Sequence, residues 1–174
     1  MGRIGQAIAL KAQAFGATIQ YHSRRKIPEL PYRYYENLVD MARDVDCLIC
    51  IVPGGPETKH IVNKDVINAL GPEGVLINVA RGCVVDENEL VKALKERRLG
   101  WAGLDVFENE PYIPMELRSL ENVVLLPHVG SATRETRQAM EDLTIENILS
   151  HFRDQSVLTP IPECKSFAVD PKNV

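Results

Sequence analysis

Short apolar segments alternate with segments of helical periodicity along most of this 174-residue chain. Strands that alternate with helices through short connections form a parallel sheet with helices on both faces. The sequence therefore predicts an α/β fold with a doubly wound parallel sheet. The expected strands are 18–21, 47–52, 75–79, 101–105 and 123–126, and the expected helices are 4–15, 35–43, 63–70, 86–98 and 133–153.

The first residues match the end of a glycine-rich turn. Gly2, Arg3, Ile4 and Gly5 fit the last part of Gly-x-Gly-x-x-Gly, and a helix follows them. Glycine lets the backbone approach a pyrophosphate, and a helix N-terminus favours anions; an ordinary helix start is the alternative. We expect the chain to begin inside a dinucleotide-binding motif and to lack the first, central strand. The sheet should then be divided, with two strand edges exposed.

The residues after the second expected strand indicate which dinucleotide is preferred. An NAD site usually has an acidic residue there, whereas this chain has Ser23, Arg24 and Arg25. Arginine pairs well with a phosphate. The sequence predicts NADP(H) as the preferred cofactor, with NAD(H) possible; the alternative is a solvated basic turn.

The loop that follows the third expected strand is rich in glycine and proline. Residues 53–58 read Pro-Gly-Gly-Pro-Glu-Thr, which would let the backbone pass close to a ligand. Pro53 and Thr58 are the candidate cofactor contacts in this loop. A plain tight turn explains the same residues nearly as well.

Arg81, Asp105 and His128 each follow an apolar strand, so they should share the carboxyl-end edge of the sheet. Arginine clamps a carboxylate with two hydrogen bonds, and histidine exchanges a proton near neutral pH. The alternatives are a structural ion pair for Arg81, a turn or helix cap for Asp105 and a structural histidine. Glu110, chosen over Glu108, is the expected partner of His128, and Gly82 would allow close approach of substrate. No role is expected for the remaining polar candidates His22, His60, His151 and Cys83.

Composition excludes several classes of function. The net charge is −4, and no Lys/Arg-rich stripe is interleaved with aromatics, so nucleic acid is not expected as a partner. No apolar run approaches the ~20 residues of a membrane helix. The chain has four cysteines and no secretory signal pattern, which favours free thiols in the cytosol. Cys47 and Cys50 lie in an apolar run and are expected in the core rather than in a redox or zinc site; no metal site is predicted.

Three separated motifs occur together: residues 2–5, residues 78–82, and residues 103–111 with Pro127 and His128. With them, the chain resembles the D-isomer-specific 2-hydroxyacid dehydrogenase family from Gly2 to about Pro162. Residues 121–131 and the Ser23-Arg24 pair are similar to the plant glyoxylate/hydroxypyruvate and hydroxyphenylpyruvate reductases within it. The resemblance implies a Rossmann-type NADP-binding domain at 1–130, truncated at its N-terminus. It also implies a closing helix returning toward the substrate domain at 131–162 and the absence of most of the substrate domain. The prolines near the C-terminus favour a loosely ordered tail at 163–174.

The resemblance also implies roles for individual residues. Arg81 would bind the substrate carboxylate, His128 would protonate the carbonyl oxygen, and Glu110 would pair with His128. Asp105 would hold the nicotinamide. The full set of implied cofactor contacts is Gly2, Arg3, Ile4, Ser23, Arg24, Arg25, Pro53, Thr58, Ala80, Arg81, Asp105, His128 and Gly130.

The expected activity is reduction of a small 2-oxo acid to the D-2-hydroxy acid with NADPH. Hydroxypyruvate, glyoxylate and 4-hydroxyphenylpyruvate are the candidate substrates, and the full-length enzyme is expected to be a homodimer. The alternatives are a dinucleotide-binding interaction protein, like a corepressor, and an inactive truncated product.

Overall fold

The computed structural model describes residues 1–161 and residue 164. The chain forms two compact units, Met1–His128 and Val129–Val174. Of the tail expected at residues 163–174, only Cys164 is among the described residues.

The first unit contains six strands and most of the helices. Its elements are α1 (Arg3–Ala14), β1 (Gln20–His22), β2 (Arg33–Tyr35), α2 (Leu38–Arg43), β3 (Cys47–Cys50), α3 (Lys64–Leu70), β4 (Val75–Asn78), a 3-10 helix (Gly82–Val84), α4 (Glu87–Lys95), β5 (Trp101–Leu104), α5 (Met115–Arg118) and β6 (Val123–Leu125). The second unit contains α6 (Arg134–Asp154).

All strand pairs are parallel, and they form two separate sheets. β1 pairs with β2, and the other four strands are ordered β3-β4-β5-β6. Among the described strands, β1, β2, β3 and β6 each have a single partner, so each leaves one edge unpaired. The predicted division of the sheet is therefore confirmed.

The helix predicted over residues 35–43 is wrong in its first part. Arg33–Tyr35 form β2, in register with Gln20–His22. The Tyr35 hydroxyl donates to Asp44 (2.6 Å), and the Arg33 guanidinium lies 4.4 Å from the centre of the Tyr35 ring. These contacts and the strand pairing outweigh the local helical pattern, and α2 begins only after Asn37, whose side chain caps it.

Asp86 and Glu89 have the spacing of a capping box, and only one half of it forms. The Asp86 carboxylate accepts the Glu89 amide N–H (3.0 Å), as an N-cap does. The reciprocal bond is absent because the Asp86 N–H donates to the Val62 carbonyl and the Glu89 carboxylate pairs with Arg98. The helix ends at Lys95, short of the expected residue 98.

One face of the four-stranded sheet forms the core. Leu76, Ala102 and Leu104 are buried there against Ile67 of α3 and Leu94 of α4. The opposite face is exposed: Trp101 is 53% exposed, Val124 64% and Leu126 48%.

The two cysteines of β3 lie on opposite faces of the strand. Cys50 is buried, which raises the pKa of its thiol to about 12, whereas Cys47 is exposed. The core assignment is therefore wrong for Cys47. Both thiols are free, and their placement on opposite faces agrees with the expectation that they do not form a redox pair.

The second unit is built around α6. The Thr133 side chain caps its start by accepting the Thr136 N–H (3.1 Å). The Asn147 side chain bonds to both the hydroxyl and the N–H of Thr159, which fixes the returning chain on the helix. Neither α6 nor any other helix in the described part of the chain is long and apolar enough to cross a membrane.

Replacing Leu76 by alanine should lower the free energy of unfolding by about 2–5 kcal/mol, because Leu76 is fully buried in the core. The matched control is Leu126→Ala on the exposed face, for which we expect a loss of about 1 kcal/mol or less. Urea denaturation of both variants measures the difference. Equal losses would contradict the assignment of the core to one face.

Candidate active site

The carboxyl ends of β4, β5 and β6 meet at one edge of the sheet. These strands are parallel neighbours, and Arg81, Asp105 and His128 follow them in that order. The expected common edge is therefore observed. Buried Asn78 fixes the turn before Arg81, because its side chain accepts the Ala80 N–H and donates to the Arg81 carbonyl.

Glu110 and His128 form a hydrogen-bonded pair at this edge. Glu110 Oε2 lies 2.8 Å from His128 Nδ1, and Oε1 accepts the Phe107 N–H (3.1 Å). The backbone of His128 has a φ of 55°, a left-handed conformation that costs energy in a non-glycine residue. The pair remains accessible to solvent, with the His128 side chain 49% exposed.

The pKa of Glu110 lies below its ordinary value. The hydrogen bond with His128 is the largest cause, followed among the lowering effects by the Phe107 N–H and the charges of His128 and Arg81; partial burial opposes them. Glu110 is therefore held in its anionic form beside His128.

Arg81 lies within electrostatic reach of Glu110. Its side chain is exposed, and its Nη1 donates to the Ala80 carbonyl (2.6 Å). The stem of the side chain crosses Gly54, where a Cβ atom would come within 2.8 Å of Arg81 Cγ. Glycine at position 54 therefore lets the 53–58 loop lie directly on Arg81.

Gly82 has a packing role that the sequence did not indicate. A Cβ atom there would overlap the Phe107 carbonyl group and the Glu108 nitrogen. The close approach that glycine allows is therefore to the 107–108 peptide. The approach of substrate to Gly82 stays a prediction, and this packing explains how Arg81 comes near Glu110.

Two contacts link the elements expected to bind the dinucleotide. A Cβ at Gly5, in the first turn of α1, would lie 3.4 Å from the Ile51 side chain after β3. Arg24, after β1, pairs with Glu57 of the 53–58 loop (3.3 Å). The start of α1, the end of β1 and this loop are therefore neighbours.

Some of the cofactor candidates border open space, whereas others form local hydrogen bonds. No side chain caps α1, and the space beside Gly2 is open. Ser23 donates to the Arg25 carbonyl (2.7 Å), and Thr58 donates to the Pro53 carbonyl (2.6 Å), closing the loop.

Two of the cofactor candidates are buried, and a third lies in the second unit. Ala80 and Asp105 are buried, and the Asp105 N–H donates to the Asn78 carbonyl (3.0 Å). Gly130 belongs to the second unit. Arg3 and Ile4 form the first turn of α1, where Ile4 is 65% exposed.

His60, to which the sequence assigned no role, has a carboxylate partner. Its Nε2 pairs with Glu108 Oε1. The two residues are far apart in sequence, so local patterns could not reveal the pair. The only indication of this pair in the sequence was the presence of two glutamates, Glu108 and Glu110, on either side of Asn109.

The divided parallel sheet and the uncapped helix behind a glycine turn define a Rossmann-type dinucleotide-binding fold. Residues 1–130 match the family described as "D-isomer specific 2-hydroxyacid dehydrogenase, NAD binding domain". The chain therefore belongs to the D-isomer specific 2-hydroxyacid dehydrogenase family, which confirms the resemblance noted from the sequence.

Similar proteins include two plant reductases. A glyoxylate/hydroxypyruvate reductase of Arabidopsis thaliana is 55% identical over 161 residues, and a hydroxyphenylpyruvate reductase of Plectranthus scutellarioides is 56% identical over 161 residues. Each match covers 92% of this chain and 51% of the relative. The chain thus spans about half the length of the curated relatives it matches.

A similar solved structure is that of an NADPH-dependent glyoxylate/hydroxypyruvate reductase from Sinorhizobium meliloti in complex with NADP and malonate. Its TM-score is 0.92 at 51% identity, covering 97% of this chain and 53% of that one. The likeness confirms the Rossmann-type arrangement of the parallel strands and their flanking helices.

Acid should destabilise the wild type more steeply than Glu110→Gln. Because the pKa of Glu110 is lower in the folded protein, its pairing stabilises the fold above the ordinary value of 4.5 and is lost as pH falls below it. Chemical denaturation between about pH 3 and pH 7 measures the two profiles. Glu121→Gln, at an exposed site, should keep the wild-type profile. Parallel profiles for wild type and Glu110→Gln would contradict the pairing.

Proposed function

We propose that this chain carries the cofactor site and the proton donor of an NADPH-dependent reductase of small 2-oxo acids. The supporting observation is the convergence of Arg81, Glu110 and His128 at one sheet edge, with Glu110 bonded to His128 Nδ1. Hydroxypyruvate, glyoxylate and 4-hydroxyphenylpyruvate are the candidate substrates, in keeping with the names of the plant relatives.

Arg81 binds the substrate carboxylate. A guanidinium offers parallel N–H groups that match a carboxylate, and the exposed Arg81 side chain is accessible to a small ligand. The contact with Gly54 restricts the stem of the side chain. Arg81 therefore orients the 2-oxo acid next to His128.

His128 donates the proton. Glu110 engages Nδ1, so Nε2 is the nitrogen that gives its proton to the carbonyl oxygen. Anionic Glu110 stabilises the protonated imidazole before transfer and orients the ring. When bound, the reduced nicotinamide supplies the hydride to the carbonyl carbon. The product is the D-2-hydroxy acid.

The residues proposed to bind the dinucleotide include the start of α1 and residues that follow the strands. Gly2, Arg3 and Ile4 offer an uncapped helix N-terminus for the pyrophosphate. Pro53, Thr58, Ala80, Asp105 and Gly130 complete the proposed contacts, with Asp105 holding the nicotinamide amide.

Preference for NADP(H) is proposed to depend on Ser23, Arg24 and Arg25. The Arg24–Glu57 pair is highly exposed, with side chains 87% and 77% exposed. Such pairs are worth about 0–1 kcal/mol, so Glu57 does not prevent Arg24 from binding a 2′-phosphate.

A homodimeric, cytosolic enzyme is the proposed context. The four cysteines are free thiols, which is usual in a reducing compartment. Light scattering on the purified chain measures the oligomeric state directly, and a monomer at micromolar concentration would contradict the dimer for this chain.

His128→Gln should lower the rate of NADPH oxidation with hydroxypyruvate by about 10²–10⁴-fold, because general acid catalysis is lost. Arg81→Ala should also lower it, mainly by raising KM for hydroxypyruvate, since the carboxylate loses its clamp. The assay follows NADPH absorbance with the purified chain, and His151→Gln, on α6, is the control. NADPH binding without turnover would contradict the reductase and favour a dinucleotide-binding interaction protein.

Arg24→Ala should weaken NADPH binding by about tenfold and leave NADH binding nearly unchanged, because only NADPH has the 2′-phosphate. Fluorescence titration of the purified chain with each cofactor measures both dissociation constants. Arg43→Ala is the matched control, because Arg43 is also an exposed arginine paired with a carboxylate. An unchanged ratio of the two constants in Arg24→Ala would contradict the proposal.

A further inference from the structure

A second imidazole–carboxylate pair lies beside the proposed active site. His60 Nε2 bonds to Glu108 Oε1, with side chains 37% and 21% exposed. Glu108 is two positions before Glu110, so the two glutamates of one short segment each hold a histidine. The His60–Glu108 pair has no place in the proton transfer described above.

His60 is anchored to the segment that follows Arg81. Its N–H donates to the Cys83 carbonyl (2.8 Å), and two residues later the Val62 N–H donates to the Val84 carbonyl (3.1 Å). His60 also has a φ of 51°, as His128 has 55°. The imidazole therefore projects from backbone held against the turn that carries Arg81.

The backbone of Glu108 is held from two further directions. Its N–H donates to Glu87 Oε2 (3.2 Å), and the 107–108 peptide lies on Gly82. The preceding N–H, of Phe107, donates to Glu110 Oε1. The segment that holds Glu108 is thus the same one that orients the Glu110 carboxylate.

The Glu108 carboxylate interacts with the carboxylate of Glu87 as well as with the imidazole of His60. The pKa of Glu87 is raised by burial and by the charge of Glu108, while the Glu108 N–H opposes this shift. In the absence of the His60 imidazole, the Glu108 carboxylate would still be repelled by the carboxylate of Glu87. This repulsion favours movement of the 107–110 segment toward solvent.

We propose that His60 and Glu108 are a positioning pair: the imidazole of His60 fixes Glu108, and thereby holds residues 107–110 so that Glu110 reaches Nδ1 of His128. The catalytic consequence rests on the proposed reductase function. The positioning itself is a property of the folded chain and is measurable without turnover.

The direct test is titration of the Glu110 carboxyl by ¹³C NMR in the 174-residue chain. In the wild type we expect its pKa below the ordinary value of 4.5. In His60→Ala it should rise toward 4.5, because Glu110 leaves His128. His60→Gln should restore the low value, since the glutamine amide reaches the position of Nε2 and donates the same hydrogen bond. His151→Gln is the control and should not change it.

Glu108→Ala removes the carboxylate partner of His60. This variant provides the same test if His60→Ala does not fold. Amide NMR spectra establish which variants are folded. An unchanged Glu110 pKa in a folded His60→Ala or Glu108→Ala variant would overturn the proposal, as would failure of His60→Gln to restore it.

Kinetics separate this inference from the proposed function. His60→Ala should lower kcat by about 10- to 100-fold with the NADPH dissociation constant unchanged, and should have no further effect in a Glu110→Gln background. An equal loss in both backgrounds would overturn the positioning role. A chain that never turns over, but whose Glu110 titration responds to His60, would contradict the reductase and leave the pairing supported.

Discussion

The contact between Gly82 and the 107–108 peptide is the constraint on which the site depends. It places the turn after β4 directly against the segment after β5, with no side chain between them. Arg81 is thereby brought within electrostatic reach of Glu110, although the two belong to different connections. The N–H of this peptide, from Glu108, donates to Glu87, and the N–H of the preceding peptide, from Phe107, donates to Glu110, so one close packing contact organises both carboxylates.

The sequence predicted what depends on the order of strands and loops. Parallel strands direct their carboxyl ends to one edge, so apolar runs followed by Arg81, Asp105 and His128 were enough to place these residues together. The Glu110–His128 pair was expected from the choice of Glu110 as the carboxylate partner and from the resemblance to the dehydrogenase family, and it is observed. The partial glycine motif at residues 2–5 likewise led to the prediction of two separate sheets, which is observed.

Features that depend on long-range partners were not predictable in this way. The strand β2 has three residues and exists through pairing with β1, so its local pattern was mistaken for the start of a helix. His60 and Glu108 meet only because the 107–108 segment folds over the turn after β4. The apolar run of β3 could not show that Cys47 faces outward, because periodicity does not say whether a second face is covered.

Orientation and electrostatic strength are separable in this site. Orientation is built into Met1–His128, since Asn78, Gly82 and the 107–110 segment fix the relevant side chains through local contacts. The strength of the electrostatic interaction between Glu110 and His128 depends on the exclusion of water. The His128 and Glu110 side chains are 49% and 37% exposed. Covering this edge would strengthen the interaction between them by lowering the local dielectric, without requiring either side chain to move. The pairing geometry is therefore a property of this unit, whereas the strength of the electrostatic interaction depends on how much solvent reaches the pair.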